Sequence, residues 1–145
     1  MKTRIAFGSI VIMFVLVLTV HAGGKGELQQ YFNNTASKVK ATENPSEKRA
    51  ILNESFRTMS KSLDIVQSSP LISNDDRINI AQFRATLQEK QDELAGTNGY
   101  TRVSDAQLNA FSNYVVQDME QADLVISISL VALILIIILI VLMIK

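Results

Sequence analysis

The chemistry open to this chain is set first by which side chains it lacks. Its 145 residues include one histidine, His21, and no cysteine or tryptophan. Without cysteine there is no disulfide framework, thiolate zinc site or cysteine nucleophile. His21 falls inside an N-terminal segment that reads as a targeting sequence. The rest of the chain therefore has no imidazole for metal ligation, Ser–His catalysis or proton transfer. Ser60 and Lys61 are sequence neighbours, and neighbours on a helix point in different directions, so they form no nucleophile–base dyad. Asp75 and Asp76 are paired carboxylates at the start of an expected helix, where they complement its positive end. Gly23-Gly24-Lys25-Gly26 lacks the strand, spacing and Ser/Thr of a phosphate-binding loop. This inventory points away from catalysis, with no cofactor and no metal expected.

Two constellations remain as candidate contact sites. Asp118, Glu120 and Asp123 crowd the flank of the C-terminal apolar block with no Lys or Arg among them. The plain reading is that basic residues are excluded from the outer side of a membrane segment. The functional reading is a docking strip for a basic partner or a divalent cation. Further on, Ser129 and Ala132 are three residues apart and share a helix face, with Ser127 on an adjacent strip. Small residues let a second membrane helix approach closely, and hydroxyls can bond across. Pairing of two copies is compatible with this face. Bulky Ile, Leu and Val dominate elsewhere and no Gly-x-x-x-Gly motif is present, so simple anchoring explains the segment as well. Asn33-Asn34-Thr35 and Asn53-Glu54-Ser55 match the glycosylation acceptor pattern, which matters only in a host that glycosylates.

The elements that would position these residues follow from hydropathy and charge. Residues 1–22 read as a signal peptide. Lys2 and Arg4 precede the apolar run Ile5–Val20, and Val20-His21-Ala22 suits cleavage before Gly23. The alternative is a short uncleaved N-terminal anchor, because 16 residues reach only about 24 Å as a helix. Residues 124–144 carry no charge and span about 31 Å, the thickness of one bilayer crossing. Lys2, Arg4 and Lys145 lie on one side of these blocks, which predicts a cytoplasmic tail of Lys145 alone and places residues 23–123 outside the cytoplasm. The expected location is a cell membrane, of the bacterial inner-membrane type given the cysteine-free exterior.

Residues 23–123 read as four helices. The first runs over roughly 26–41 on a thin stripe of Leu28, Phe32 and Val39, with Thr35 filling a gap. The second opens with Asn44, Pro45 and Glu47, a capping sequence. Its Leu52, Phe56, Met59, Leu63 and Val66 form a heptad seam. Ser68-Ser69-Pro70 ends it. The third starts near Ser73 or Asn74 and carries Ile80, Phe83, Leu87 and Leu94, with Lys90-Gln91 as an interruption. Gly96-Thr97-Asn98-Gly99 breaks the chain. Ser104 and Gln107 suggest another capping box before Leu108, Phe111, Val115, Met119 and Ala122. No breaker follows, so this helix is expected to run straight into the membrane.

The expected fold class is all-α: an antiparallel helical bundle of four helices whose last helix continues into a C-terminal transmembrane helix. The 14 basic residues balance the 14 acidic ones, so nucleic acid is not an expected partner. The bilayer and another envelope or membrane protein are. The leading function is a membrane-anchored, non-enzymatic scaffold or accessory subunit. The alternative is a sensor-type input module, since the layout resembles in outline the input regions of bacterial chemoreceptors and sensor kinases. That resemblance is one of architecture, with no motif behind it.

Overall fold

The computed structural model describes residues 27–125 and 128–144, with side chains over 28–120 and 130–144. Residues 1–22, expected to be a signal peptide, Ser127 and Lys145 lie outside that description. The chain is all-helical there, as the periodicity predicts. Its elements are α1 (Glu27–Ala41), α2 (Pro45–Gln67), α3 (Asn74–Ala95), a 3-10 turn (Asp105–Gln107), α4 (Leu108–Val125) and α5 (Ile128–Met143).

Local chemistry explains the boundaries. Asn44 Oδ1 accepts from the amides of Ser46 at 2.8 Å and Glu47 at 3.2 Å, and Pro45 takes the first position of α2. Ser73 Oγ accepts from Asp76 N at 3.1 Å at the head of α3, with Asp75 and Asp76 in its first turn. Gly96 ends α3 in the left-handed region at φ 76°, and its amide donates to Asp92 O at 2.8 Å. A Cβ there would come within 2.7 Å of Arg102, so glycine is required twice over. Ser104 departs from expectation. Its side chain makes no capping bond, and Asp105–Gln107 form a 3-10 turn before α4 begins. Asp105 is drawn instead to Arg49, which donates to its Oδ1 at 2.8 Å.

α2 is the central element, in contact with each of the other four helices. Its seam of Leu52, Phe56, Met59, Leu63 and Val66 is buried as predicted. A second buried line, Ile51, Ser55, Thr58 and Ser62, runs beside it. α1 also packs closely against α4, and Phe32, Phe56 and Phe111 link α1, α2 and α4 through ring centroids 6.4 Å apart. Polar contacts fix the direction of the helices. Lys48 Nζ donates to Asn109 Oδ1 at 2.7 Å and Arg49 Nη1 to Leu94 O at 3.4 Å. The starts of α2 and α4 and the end of α3 therefore meet at one end. The α2–α3 turn lies at the other, together with the start of α1 and the end of α4.

The C-terminal block departs from the expected continuous helix. α4 stops at Val125, and α5 lies against α2. Leu130, Val131, Ile134, Leu135, Ile138 and Leu142 join the apolar core. Among the described residues no helix is long and apolar enough to cross a membrane. The 16 residues of α5 reach about 24 Å, short of a hydrocarbon core of roughly 30 Å. A helix with no polar face gains from burial against any apolar cover, and α2 supplies it on one side.

Candidate functional site

The acidic flank of α4 is only partly free. Asp118 faces α3, where its Oδ2 accepts from Lys90 Nζ at 2.6 Å. The same ammonium reaches Glu93 Oε1 at 3.1 Å and sits 3.8 Å from the centroid of the Tyr114 ring. Lys90 is 1% exposed. Burial pulls its pKa down, but hydrogen bonds to Asp118, Tyr114 and Glu93 and the Asp118 charge outweigh that, so the group is held above its ordinary value. An amine held protonated at neutral pH is neither a base nor a nucleophile there. It bridges α3 to α4 through Asp118. Glu120 is exposed on α4. Asp123 belongs to the last turn of α4, and its side chain is not among those described.

Lys90 was hidden in the sequence by its type. Ile80, Phe83, Leu87, Lys90 and Leu94 are spaced three, four, three and four, so Lys90 occupies an inward position of the stripe it was read as interrupting. The spacing was the available signal. Its partner Asp118 lies 28 positions on, and nothing local announces it.

A second polar cluster joins α1 to α2. The buried Tyr31 hydroxyl donates to Ser55 O at 2.9 Å, and Thr35 Oγ1 and Ser55 Oγ lie 2.8 Å apart. Burial raises the Tyr31 pKa, against the lowering effect of its hydrogen bonds to Ser55 and Thr58. Ser62 Oγ donates to Thr58 O at 2.7 Å. These hydroxyls are satisfied within the fold and present no reactive constellation. Among the described residues, no group of three or more His, Asp or Glu side chains is placed to hold a metal ion.

Of the residues expected on the membrane-helix face, Ser129 lies in the first turn of α5 and Ala132 is half-buried there. By helical spacing the same side of α5, turned away from α2, carries Ile136, Ile140 and Met143, 54%, 47% and 78% exposed, with Ile144 exposed just beyond. No family model matches the chain, and neither a curated protein nor a solved structure matches it.

Proposed function

We propose that this protein is a membrane-anchored, non-enzymatic scaffold or accessory subunit. Its helices α1–α4 form an antiparallel bundle outside the cytoplasm that binds another envelope protein. The supporting observation is α5. It is apolar around its whole circumference, and α2 covers one side while Ile136, Ile140 and Met143 face water. Such a helix belongs in a core or in lipid. With residues 124–127 it makes an uncharged stretch long enough for one crossing, and insertion buries both sides at once. Binding is then left to the polar faces of α1–α4, with Glu120 exposed nearest the membrane end.

The experiment uses the absence of native cysteine. A Lys61→Cys variant carries its thiol on an exposed position of α2. It is expected to fractionate with membranes after carbonate washing and to react with a membrane-impermeant maleimide in intact spheroplasts. Capture of the full-length protein in detergent should then recover one stoichiometric envelope protein. Labelling only after lysis, or recovery in the soluble fraction, overturns the reading.

A further inference from the structure

We propose that the α2–α3 turn is a second membrane contact, an apolar tip that dips into the interfacial layer of the bilayer in which α5 is anchored. The proposal rests on the membrane reading of α5 given above. Outside α5, the large exposed aliphatic side chains among the described residues are Ile65, Leu71 and Ile78, and all three lie at this turn. Leu71 is 83% exposed. Ile65 is two residues before the end of α2 and Ile78 four after the start of α3, so both lie within about 6 Å of the turn along the helix axes. The opposite end of the fold carries Thr42, Glu43 and Asn44 in one loop and the Gly96–Asn98 turn in the other. Tyr100, 40% exposed, also lies at that opposite end, so it is the aliphatic part of the exposed surface outside α5 that gathers at the turn.

The end bearing the turn is where the apolar blocks join helices α1–α4 along the chain. α1 begins there and α4 finishes there, so a membrane segment on either side of α1–α4 attaches at the end that carries Leu71. A chain anchored through either block brings the turn to the lipid surface, which identifies the bilayer as its cover.

The turn is built to tolerate this. Arg77 donates from Nη1 to Gln67 O and from Nη2 to Ser69 O at 2.8 Å. Ser69 N donates to Val66 O at 3.0 Å, and Leu71 N to Ser69 Oγ at 3.2 Å. Pairing its backbone groups internally lowers the cost of moving a loop toward lipid. It also holds Leu71 outward on a fixed loop. Asp64, Asp75 and Asp76 lie close by, and the Arg77 guanidinium is occupied within the turn. The surface therefore suits zwitterionic headgroups better than anionic ones.

The test uses the full chain in phosphatidylcholine proteoliposomes containing nitroxide-labelled lipid. Bimane is attached in turn to Leu71→Cys, Glu43→Cys and Ile137→Cys variants. Shallow nitroxides should quench the Leu71→Cys probe about twofold or more, as expected for an interfacial residue, and leave the Glu43→Cys probe at the opposite end unchanged. Deep nitroxides should quench the Ile137→Cys probe. Quenching at Ile137→Cys without quenching at Leu71→Cys overturns the tip contact and leaves the anchor standing. Absence of quenching at Ile137→Cys overturns the anchor and the tip contact with it. Equal quenching at Leu71→Cys and Glu43→Cys overturns the end-on orientation. A blue-shifted but unquenched Leu71→Cys probe means that protein, such as a second copy, covers the turn, and overturns the lipid assignment.

Discussion

α1 and α3 flank the same helix, and the physics holding them to α2 is different on the two sides. α1 buries Leu28, Tyr31, Phe32, Thr35, Ala36 and Val39, and its buried polar contacts to α2, from Tyr31 and Thr35 to Ser55, run between neutral groups. Tyr31 and Phe32 stack edge to face at 5.0 Å, and Phe32 continues to Phe56. α3 buries fewer apolar side chains, Ile80, Phe83, Leu87 and Leu94, and adds cations. Arg84 pairs with Asp64 and donates to Gln67 Oε1 at 2.7 Å, Arg77 closes the turn, and Lys90 crosses to Asp118. α1 is held by volume and shape, and α3 adds charge placed at a few points. The first kind of attachment is sensitive to lost atoms and indifferent to pH until the Tyr31 hydroxyl ionises, above about 10. The second adds the titration of Lys90 to its own apolar contacts.

The volume side of this contrast breaks most severely at Phe32. The ring is 1% exposed and joins α1 to the Phe56–Phe111 pair. Phe32→Ala is expected to cost about 3–5 kcal/mol, because the transfer loss and the cavity add. Urea unfolding of the detergent-solubilised chain measures it. A loss below about 1 kcal/mol would mean that α1 is not held by its core face.

How much of this was legible in the sequence depends on residue type. The α2 seam and its Asn44 cap, the start of α3 and the Gly96 break all follow from apolar spacing and turn chemistry, and the structure places them there. The second buried line of α2 was not legible, because Ser55, Thr58 and Ser62 count as polar in any hydropathy pattern. Their burial depends on hydroxyls bonding back to the helix or across to Thr35. Tyr31 was missed for a related reason, since its hydroxyl reaches a carbonyl 24 positions away. The candidate strip at Asp118, Glu120 and Asp123 was legible as composition only. That Asp118 is committed to Lys90 depends on a contact between helices separated by a nine-residue connection and a 3-10 turn. The packing of α5 against α2 was equally hidden, because uniform hydropathy carries no phase that could choose between lipid and protein.

The charge side breaks next, at Asp118. Asp118→Ala removes the shortest contact of a buried ammonium, while Glu93 and the Tyr114 face remain. The expected loss is about 2 kcal/mol at pH 8, within the usual range for a hydrogen bond to a charged group. Its pH dependence follows from the direction of the Lys90 shift. A lysine whose folded pKa is raised contributes stability that is complete below its unfolded value of about 10.4 and is lost as pH rises through the folded value. The gap between wild type and Asp118→Ala should therefore be constant from pH 7 to 9 and close above about 10.4. A gap that persists unchanged at high pH would assign the loss to packing and not to charge.

The smallest effect is the most informative about why a charge sits there. Lys90→Met keeps the aliphatic stem in the inward position and deletes the ammonium. Asp118 and Glu93 are left without a cation, but their side chains are 34% and 17% exposed, so water can reach both. The wild-type pair gains Coulomb energy, a short hydrogen bond and a cation–π contact, and against these stands the cost of dehydrating Lys90. Replacing a whole buried ion pair by apolar groups is often neutral or stabilising, and removing one partner approaches that limit only where water reaches the other, as it does here. Methionine also adapts to irregular gaps better than a branched residue. The expected change for Lys90→Met is within about 1 kcal/mol of wild type, half or less of the Asp118→Ala loss, with the alkaline fall in stability reduced. The two substitutions act on the same contact from opposite ends. Unequal losses mean that α3 tolerates the charge provided it is paired, whereas equal losses of about 2 kcal/mol mean that the ion pair itself fastens α3 to α4.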